Sequence, residues 1–329
     1  MKAVKIVQAA PGLEQLELSI EEQDIPVAWS NECVIKVYYA AVNPSDAAAA
    51  LGMFPKAVWP RHPGRDFAGK LIHGPAELIG KSVWGTGGDI GIRKNGSHAS
   101  FLVIPANAFS EIPSTISMPE AASVGVPFIT AYDGLKRAGG IKSDQWILIF
   151  GINGKVGQAA AQLATASGAN VIGVDRASTN YIGHASKPVT VCNSNNENWL
   201  KEVLELTKGH GADIVYNTVG GPYFEAANAA MAHGGTQIFI ADRAKQAVPF
   251  SIFQFYRKQL TYVGVDTQEL DVVQCAAILN ELKDGFENGK LKPFPIEDHQ
   301  IFPISRALEA YQQTFNGSRE KIVLQIADQ

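Results

Sequence analysis

The chain has 329 residues, 46% of them apolar and 18% charged, with a formal net charge of −4. That length suffices for two domains around a sizeable core. No run of 18 apolar residues occurs, which excludes a transmembrane helix, and the scattered Lys and Arg form no basic face for nucleic acid or an anionic membrane, so the expected partner is a small molecule. The opening MKAVKIVQAAPG has no apolar segment before Pro11, which argues against a signal peptide and leaves a cytoplasmic location as the expectation. Cys33, Cys192 and Cys275 lie too far apart for a disulfide framework or a Cys-rich metal knuckle and read as buried small apolar residues.

Residues 1–123 are strand-like and broken by turns: CVIKVYYAAV, DFAGKLI, SVWGTG and SHASFLVIP alternate with Gly, Pro and Asn. This predicts an antiparallel β-rich domain. From 124 the rhythm changes to strand and helix in turn. WILIF leads into an Ala-rich helix ending near Gly168, and NVIGVD, a weaker PVTVC, a helix over NENWLKEVLELTKG and then ADIVYNTVGG follow. A helix around 224–232, a strand TQIFIAD, a loop-rich stretch over 244–256 and a strand LTYVGVD complete the segment 124–267. Continuous apolar strands alternating with helices predict a doubly wound α/β domain with a parallel sheet. In 268–329, a helix closed by Gly289, a second helix over IFPISRALEAYQQTF and a final strand KIVLQI are expected. A lone strand needs a sheet, so the chain is expected to leave the first domain, build the second and return.

The chemistry concentrates at ILIFGINGKVGQ. One glycine can bend a strand into a helix, so Gly151, Gly154 and Gly157 together suggest that a phosphate approaches the backbone. Asn153 stands where the commoner fingerprint has its middle glycine, and the corner comprises Gly151, Asn153, Gly154, Lys155, Val156 and Gly157. The second strand ends in Asp175, 18 residues beyond Gly157, where a carboxylate can accept hydrogen bonds from an adenosine ribose. A purely structural turn and an S-adenosylmethionine site are the competing readings, and the latter does not explain the β-rich flank. Asp175 favours NADH, whereas the adjacent Arg176 could pair with the 2′-phosphate of NADPH.

Taken with AAVNPSD (40–46), HPGRDFAGKLI (62–72), TAYDGL (130–135), DIVYNTVGG (213–221) and REKIVL (319–324), the chain resembles the medium-chain dehydrogenase/reductase superfamily, and within it the zinc-independent quinone oxidoreductase-like branch. The resemblance spans nearly the whole length. It implies a Rossmann domain and a GroES-like catalytic domain completed by the C-terminus. It also implies an NAD(P)H cofactor, commonly NADPH in zinc-free relatives. Zinc-dependent members place a cysteine and a histidine where this sequence has Asn43 and Arg65, and the four-cysteine lobe is missing, so no zinc is expected.

By the same resemblance Asn43 lies near the nicotinamide ribose and substrate, against the local alternative of a turn-forming Asn before Pro44. Asp46 and Arg65 contact the cofactor or a substrate carbonyl, or else form a buried salt bridge in place of a metal. Thr130 contacts the nicotinamide carboxamide or, alternatively, caps a helix that it opens. Asn217, Val219 and Gly220 belong to the cofactor site. Phe54 stands where relatives often carry a tyrosine, so no phenolic proton donor is available there, and His98 reads as a structural histidine. The expected reaction is metal-free reduction of a quinone or an α,β-unsaturated carbonyl. A zinc-free alcohol dehydrogenase or aldehyde reductase and a non-catalytic nucleotide-binding relative are the alternatives. A homodimer is expected from the apolar VPFSIFQFY stretch beside the last sheet strands.

Overall fold

A computed structural model describes residues 1–328 except 243, 244 and 246, so two positions of the 244–256 loop lie outside the described residues. The strands are β1 (Lys2–Lys5), β2 (Ser19–Glu22), β3 (Glu32–Val42), β4 (Phe67–His73), β5 (Ser82–Gly85), β6 (Phe101–Pro105), β7 (Ser110–Glu111), β8 (Trp146–Phe150), β9 (Asn170–Asp175), β10 (Val189–Asn193), β11 (Ala212–Asn217), β12 (Met231–Phe239), β13 (Thr261–Gly264), β14 (Ile301–Pro303) and β15 (Ile322–Gln325). The α-helices are α1 (Pro44–Ala50), α2 (Met118–Arg137), α3 (Lys155–Ala166), α4 (Trp199–Leu206), α5 (Phe224–Ala230), α6 (Ile252–Lys258), α7 (Val272–Glu287) and α8 (Ala307–Phe315). No helix among the described residues is long and apolar enough to cross a membrane.

The chain forms two compact units. One comprises Met1–Ile129, Thr267–Gly289 and Pro293–Gln329, and the other Thr130–Asp266 with Lys290–Lys292. In the first, β3 is the spine of a seven-stranded sheet ordered β14-β15-β3-β4-β5-β7, with β6 also paired to β3. The returning C-terminal strand β15 runs antiparallel to β3 with Ile322 opposite Val42. Apolar KIVL therefore finds a sheet to complete, as a lone buried strand must. Val37, Phe67, Leu71, Val83, Ile104 and Leu324 lie in this unit's core.

In the second unit six strands are ordered β10-β9-β8-β11-β12-β13, and every pairing is parallel. The strand order reverses between β8 and β11, the point at which open α/β sheets bind ligands outside the carboxyl ends of their strands. Leu148, Phe150, Ile172, Val174 and Val215 pack one apolar cluster there, which is why these strands read as continuous apolar runs. The free C-terminal carbonyls of α5 are satisfied from α6, because the Lys258 ammonium donates to the carbonyls of Asn228 at 3.0 Å and Ala229 at 3.1 Å, and to Met231 at the start of β12 at 2.9 Å.

Three local expectations need correction. Thr130 does not open a helix: α2 begins at Met118 and runs through Pro127. Proline lacks an N–H and normally breaks a helix, but the adjacent Val126 N–H donates to the Asp66 carboxylate at 2.8 Å. The helix expected over 224–232 ends at Ala230, and the next strand starts at Met231. The loop over 244–256 contains α6, capped by the Ser251 hydroxyl on Gln254 N–H at 3.2 Å. No α6 residue is fully buried, so the segment lacks the one-sided apolar pattern that marks a helix.

Candidate active site

At the carboxyl end of β8 each glycine of the corner has a separate cause. Gly151 has φ of +71°, and a Cβ there would stand 2.3 Å from the Thr218 hydroxyl oxygen on the turn after β11. A Cβ on Gly157 would lie 2.3 Å from the Gly151 carbonyl, so this glycine lets α3 pack against the turn. Gly154 differs: its φ is −72°, and an added Cβ would meet only the Gly151 carbonyl, at 3.2 Å. The backbone angle does not demand a glycine there, and the carbonyl contact is tight without the overlap that a Cβ on Gly151 or Gly157 would suffer, whereas a ligand approaching the backbone would demand one. Gly154 is also the N-cap of α3, and no side chain caps that helix or places an acid in its first turn, which starts with Lys155 and Val156. An uncapped helix N-terminus beside an open glycine is suited to a phosphate.

Asn153 is buried, and its side chain ties the corner to its surroundings. Its amide donates to Asp175 Oδ2 at 3.2 Å and to the Asn180 carbonyl at 3.0 Å, and its oxygen accepts from Ile182 N–H at 3.1 Å. Asp175 ends β9 with Oδ1 accepting from Ala177 N–H at 2.8 Å, and Arg176 follows it exposed at the surface. The structure thus brings the corner, Asp175 and the turn after β11 to one end of the parallel sheet. In that turn the Asn217 side chain serves its own backbone, accepting from Val219 at 3.0 Å and Gly220 at 2.8 Å and donating to the Gly220 carbonyl at 3.0 Å. Asn217 therefore shapes the turn that presents Val219 and Gly220. Thr130 lies inside α2, and its carbonyl accepts from the Tyr216 hydroxyl at 2.6 Å.

In the other unit Asn43, Asp46, Arg65, Asp66 and Lys321 form one buried polar cluster, each with a relative exposure of 4% or less. Asn43 caps α1, with Pro44 as the first helical residue and the Asp46 carboxylate accepting from Asn43 N–H at 2.8 Å. The Asn43 amide donates to Asp66 Oδ2 at 2.9 Å, and its oxygen accepts from the Lys321 ammonium. Lys321 also lies 3.6 Å from Asp66 Oδ2. Sheet register explains the meeting: Ile322 pairs with Val42, so the residues just outside that pair, Lys321 and Asn43, sit side by side. Lys321 was missed from sequence, since a lysine at a strand's start reads as a surface residue until its pairing strand is known.

Of the two alternatives for Asp46 and Arg65, the buried salt bridge between them is not seen. The Arg65 guanidinium donates to the Gly87 carbonyl at 2.7 Å, to the Ser45 hydroxyl at 3.3 Å and to the Thr267 carbonyl and hydroxyl at 3.2 Å each. The buried ion pair of the cluster is Lys321 with Asp66. Asp46 Oδ1 is buried without a hydrogen-bond partner, and burial pushes its carboxyl up to about 6 against the pull of Arg65. His98 is fully buried between the Ala41 carbonyl at 3.1 Å and the Tyr311 hydroxyl at 3.1 Å, and burial lowers its pKa to about 4. It is a structural histidine, and all three cysteines are free and buried.

A family model described as "Zinc-binding dehydrogenase" matches residues 156–281. A zinc-type alcohol dehydrogenase-like protein of Schizosaccharomyces pombe is 34% identical over 329 residues, covering 98% of this chain and 97% of its own. The quinone oxidoreductase of Homo sapiens is 24% identical over 324 residues, covering 97% and 95%. The Escherichia coli quinone oxidoreductase, solved as a complex with NADPH, superposes with a TM-score of 0.82 over 98% of this chain and 99% of that one; at 21% identity this likeness shows the fold.

The zinc in the first two names finds no matching donor set. The matched span 156–281 excludes Asn43 and Arg65. Ammonium and guanidinium groups have no lone pair to offer a metal, and the Asn43 oxygen already accepts from Lys321. Among the described residues no group of three or more His, Cys, Asp or Glu side chains is placed to hold a metal ion. These residues do not fit a catalytic zinc site.

Proposed function

This chain belongs to the medium-chain dehydrogenase/reductase superfamily, in its quinone oxidoreductase-like branch, and on that footing we propose that it is a zinc-independent NAD(P)H-dependent reductase of quinones or α,β-unsaturated carbonyls. The observation that carries the reading is the open face of Gly154 at the uncapped N-terminus of α3, with Asp175 at the end of the next strand. Lys155, Val156 and Gly157, in the first turn of α3, hold the pyrophosphate with backbone N–H groups. Gly151 and Gly154, whose own N–H groups donate to the Val174 and Gly151 carbonyls, shape the turn and leave the pyrophosphate room, and Asp175 takes the ribose. Asn153 keeps that carboxylate in place. Thr130, Val219 and Gly220 border the nicotinamide half.

When bound, the reduced nicotinamide supplies the hydride. Asn43, Asp46 and Arg65 are the groups assigned to the acceptor. A simple ketone leaves a localised alkoxide that needs a Lewis acid or several preorganised donors. A quinone or enone spreads the charge, which a few donors such as the Asn43 amide can hold until water supplies the proton.

The test follows nicotinamide absorbance with a quinone, an enone and a simple aldehyde in parallel, with and without a chelator. Chelator-insensitive turnover of the quinone or enone is expected. Turnover confined to the aldehyde would select the alcohol dehydrogenase reading that the fission-yeast relative's name suggests, and chelator sensitivity would reject the metal-free one. Cofactor binding without turnover of any acceptor would select a non-catalytic relative.

A homodimer is part of the same reading. It is supported by the edge strand β13 and by Phe250, Ile252, Phe253 and Tyr256, which are exposed by 48%, 68%, 65% and 56%. Pairing of two copies would cover both features. Light scattering giving a monomer mass at micromolar concentration would remove this part.

A further inference from the structure

Lys321 is an expensive residue to bury. Its side chain is 4% exposed, and its ammonium has two side-chain partners, Asn43 Oδ1 and Asp66 Oδ2. A methionine would fill a similar volume with no charge to desolvate, and buried ion pairs are commonly no more stabilising than apolar residues of the same size. Burial lowers the Lys321 pKa, while Asp66 and Asp46 pull it back toward the charged form. The side chain is therefore placed at a cost that packing does not require.

The chemistry of the partners fixes the Asn43 amide. An ammonium only donates and an ionised carboxylate only accepts, so the Asn43 oxygen must face Lys321 and its nitrogen must face Asp66. Among the described residues only Asp66 accepts from the Asn43 amide, which leaves one of its two N–H groups unused. A hydrogen bond from a cation to the amide oxygen polarises the group and strengthens its remaining N–H as a donor.

We infer that Lys321 is a positioning residue of the polar cluster: its ammonium locks the Asn43 amide in one orientation and presents the unused N–H as a polarised donor to a carbonyl-bearing ligand. The inference rests on the proposed function in taking that ligand to be the acceptor. The Lys321 ammonium acts through Asn43 and Asp66.

Two measurements test it separately. In the unliganded protein the Asn43 side-chain amide pair is identified in a nitrogen–proton NMR spectrum by its loss in Asn43→Ala. Lys321→Met should shift that pair and speed its hydrogen exchange at least tenfold, on the order of 1.4 kcal/mol of lost protection. Unchanged shifts and exchange would overturn the inference, whatever the enzyme reduces.

With a quinone acceptor, Lys321→Met should lower kcat about tenfold with KM within twofold, and adding it to Asn43→Ala should lower kcat no further. An equal, multiplicative loss in that background would show that Lys321 acts independently of Asn43 and would overturn the inference. Should Lys321→Met fail to fold because Asp66 is left unpaired, the Asp66→Asn/Lys321→Met pair removes both charges and is measured in the same two ways. If no acceptor is turned over by the unaltered protein, the proposed function fails and the amide measurement still decides the role of Lys321.

Discussion

Asn43 and Lys321 stand 278 positions apart in the chain and share one buried hydrogen bond. The bond exists because β15 returns antiparallel to β3, with Ile322 opposite Val42. Around it the cluster buries two cationic and two acidic side chains, and among the described residues the ion pair within it is Lys321 with Asp66. The chemistry of the cluster depends on which charges are compensated and which are not.

Asp46 is the acid of the cluster without an ion-pair partner, and pH reveals it. Its pKa in the fold is about 6, above the ordinary 3.8, so the folded protein holds this proton more tightly than the unfolded chain. Its contribution to stability is therefore fully present below pH 4 and is lost as pH rises through 6. Asp46→Asn mimics the protonated form and keeps an acceptor for Asn43 N–H. Urea unfolding should show the variant more stable at pH 7.5 by up to about 3 kcal/mol, with the gap closing toward pH 4. A gap of constant size across that range would mean that Asp46 titrates normally.

Gly154 and Gly157 of the corner should separate by assay. Gly154→Val places its side chain where only the Gly151 carbonyl stands near, at 3.2 Å, so the fold should survive with its thermal midpoint little changed. Affinity for reduced nicotinamide dinucleotides, read from nucleotide fluorescence, should fall at least a hundredfold, ~2.7 kcal/mol. Gly157→Ala puts a methyl 2.3 Å from the Gly151 carbonyl and 2.9 Å from the Ile152 Cα. It should destabilise the protein by about 1–3 kcal/mol. Normal nucleotide affinity in Gly154→Val would place the phosphate elsewhere.

Cofactor choice rests on Asp175 and Arg176, whose signals oppose each other. The carboxylate would repel a 2′-phosphate, and the exposed guanidinium beside it would attract one. Binding of both NADH and NADPH is expected, and Asp175→Ser should move the ratio of their dissociation constants toward NADPH about tenfold, ~1.4 kcal/mol. Titrations that leave this ratio where it was would show that Asp175 does not meet the ribose.

Lys258 holds the C-terminal end of α5 through three carbonyls. Lys258→Met keeps the length of the side chain and removes every one of these bonds. A loss of about 1–2 kcal/mol of stability is expected, from the unsatisfied carbonyls and the missing cation at a helix C-terminus. Chemical denaturation with nucleotide binding measured alongside tests it, since affinity at the distant glycine corner should not change.

The sequence alone determined the six parallel strands, the glycine corner after β8, the acid ending β9 and the apolar strand that returns at the C-terminus. Each of these is a local signal. A strand buried on both faces must be apolar throughout, and a backbone approached by a ligand must lack side chains at fixed spacing, so composition within a dozen residues carries the message. Tertiary structure alone decided that Asn43 meets Lys321, that Arg65 binds backbone and hydroxyl oxygens instead of Asp46, and that Asn217 shapes its own turn. It also decided that α2 runs through Pro127, with the Val126 N–H turned to the Asp66 carboxylate. Each of those outcomes depends on the register of strands or the approach of side chains far apart in the chain. A lysine or an arginine has the same local propensities whether it ends in water or beside a buried amide, and only the pairing of β15 with β3 sets which one Lys321 meets.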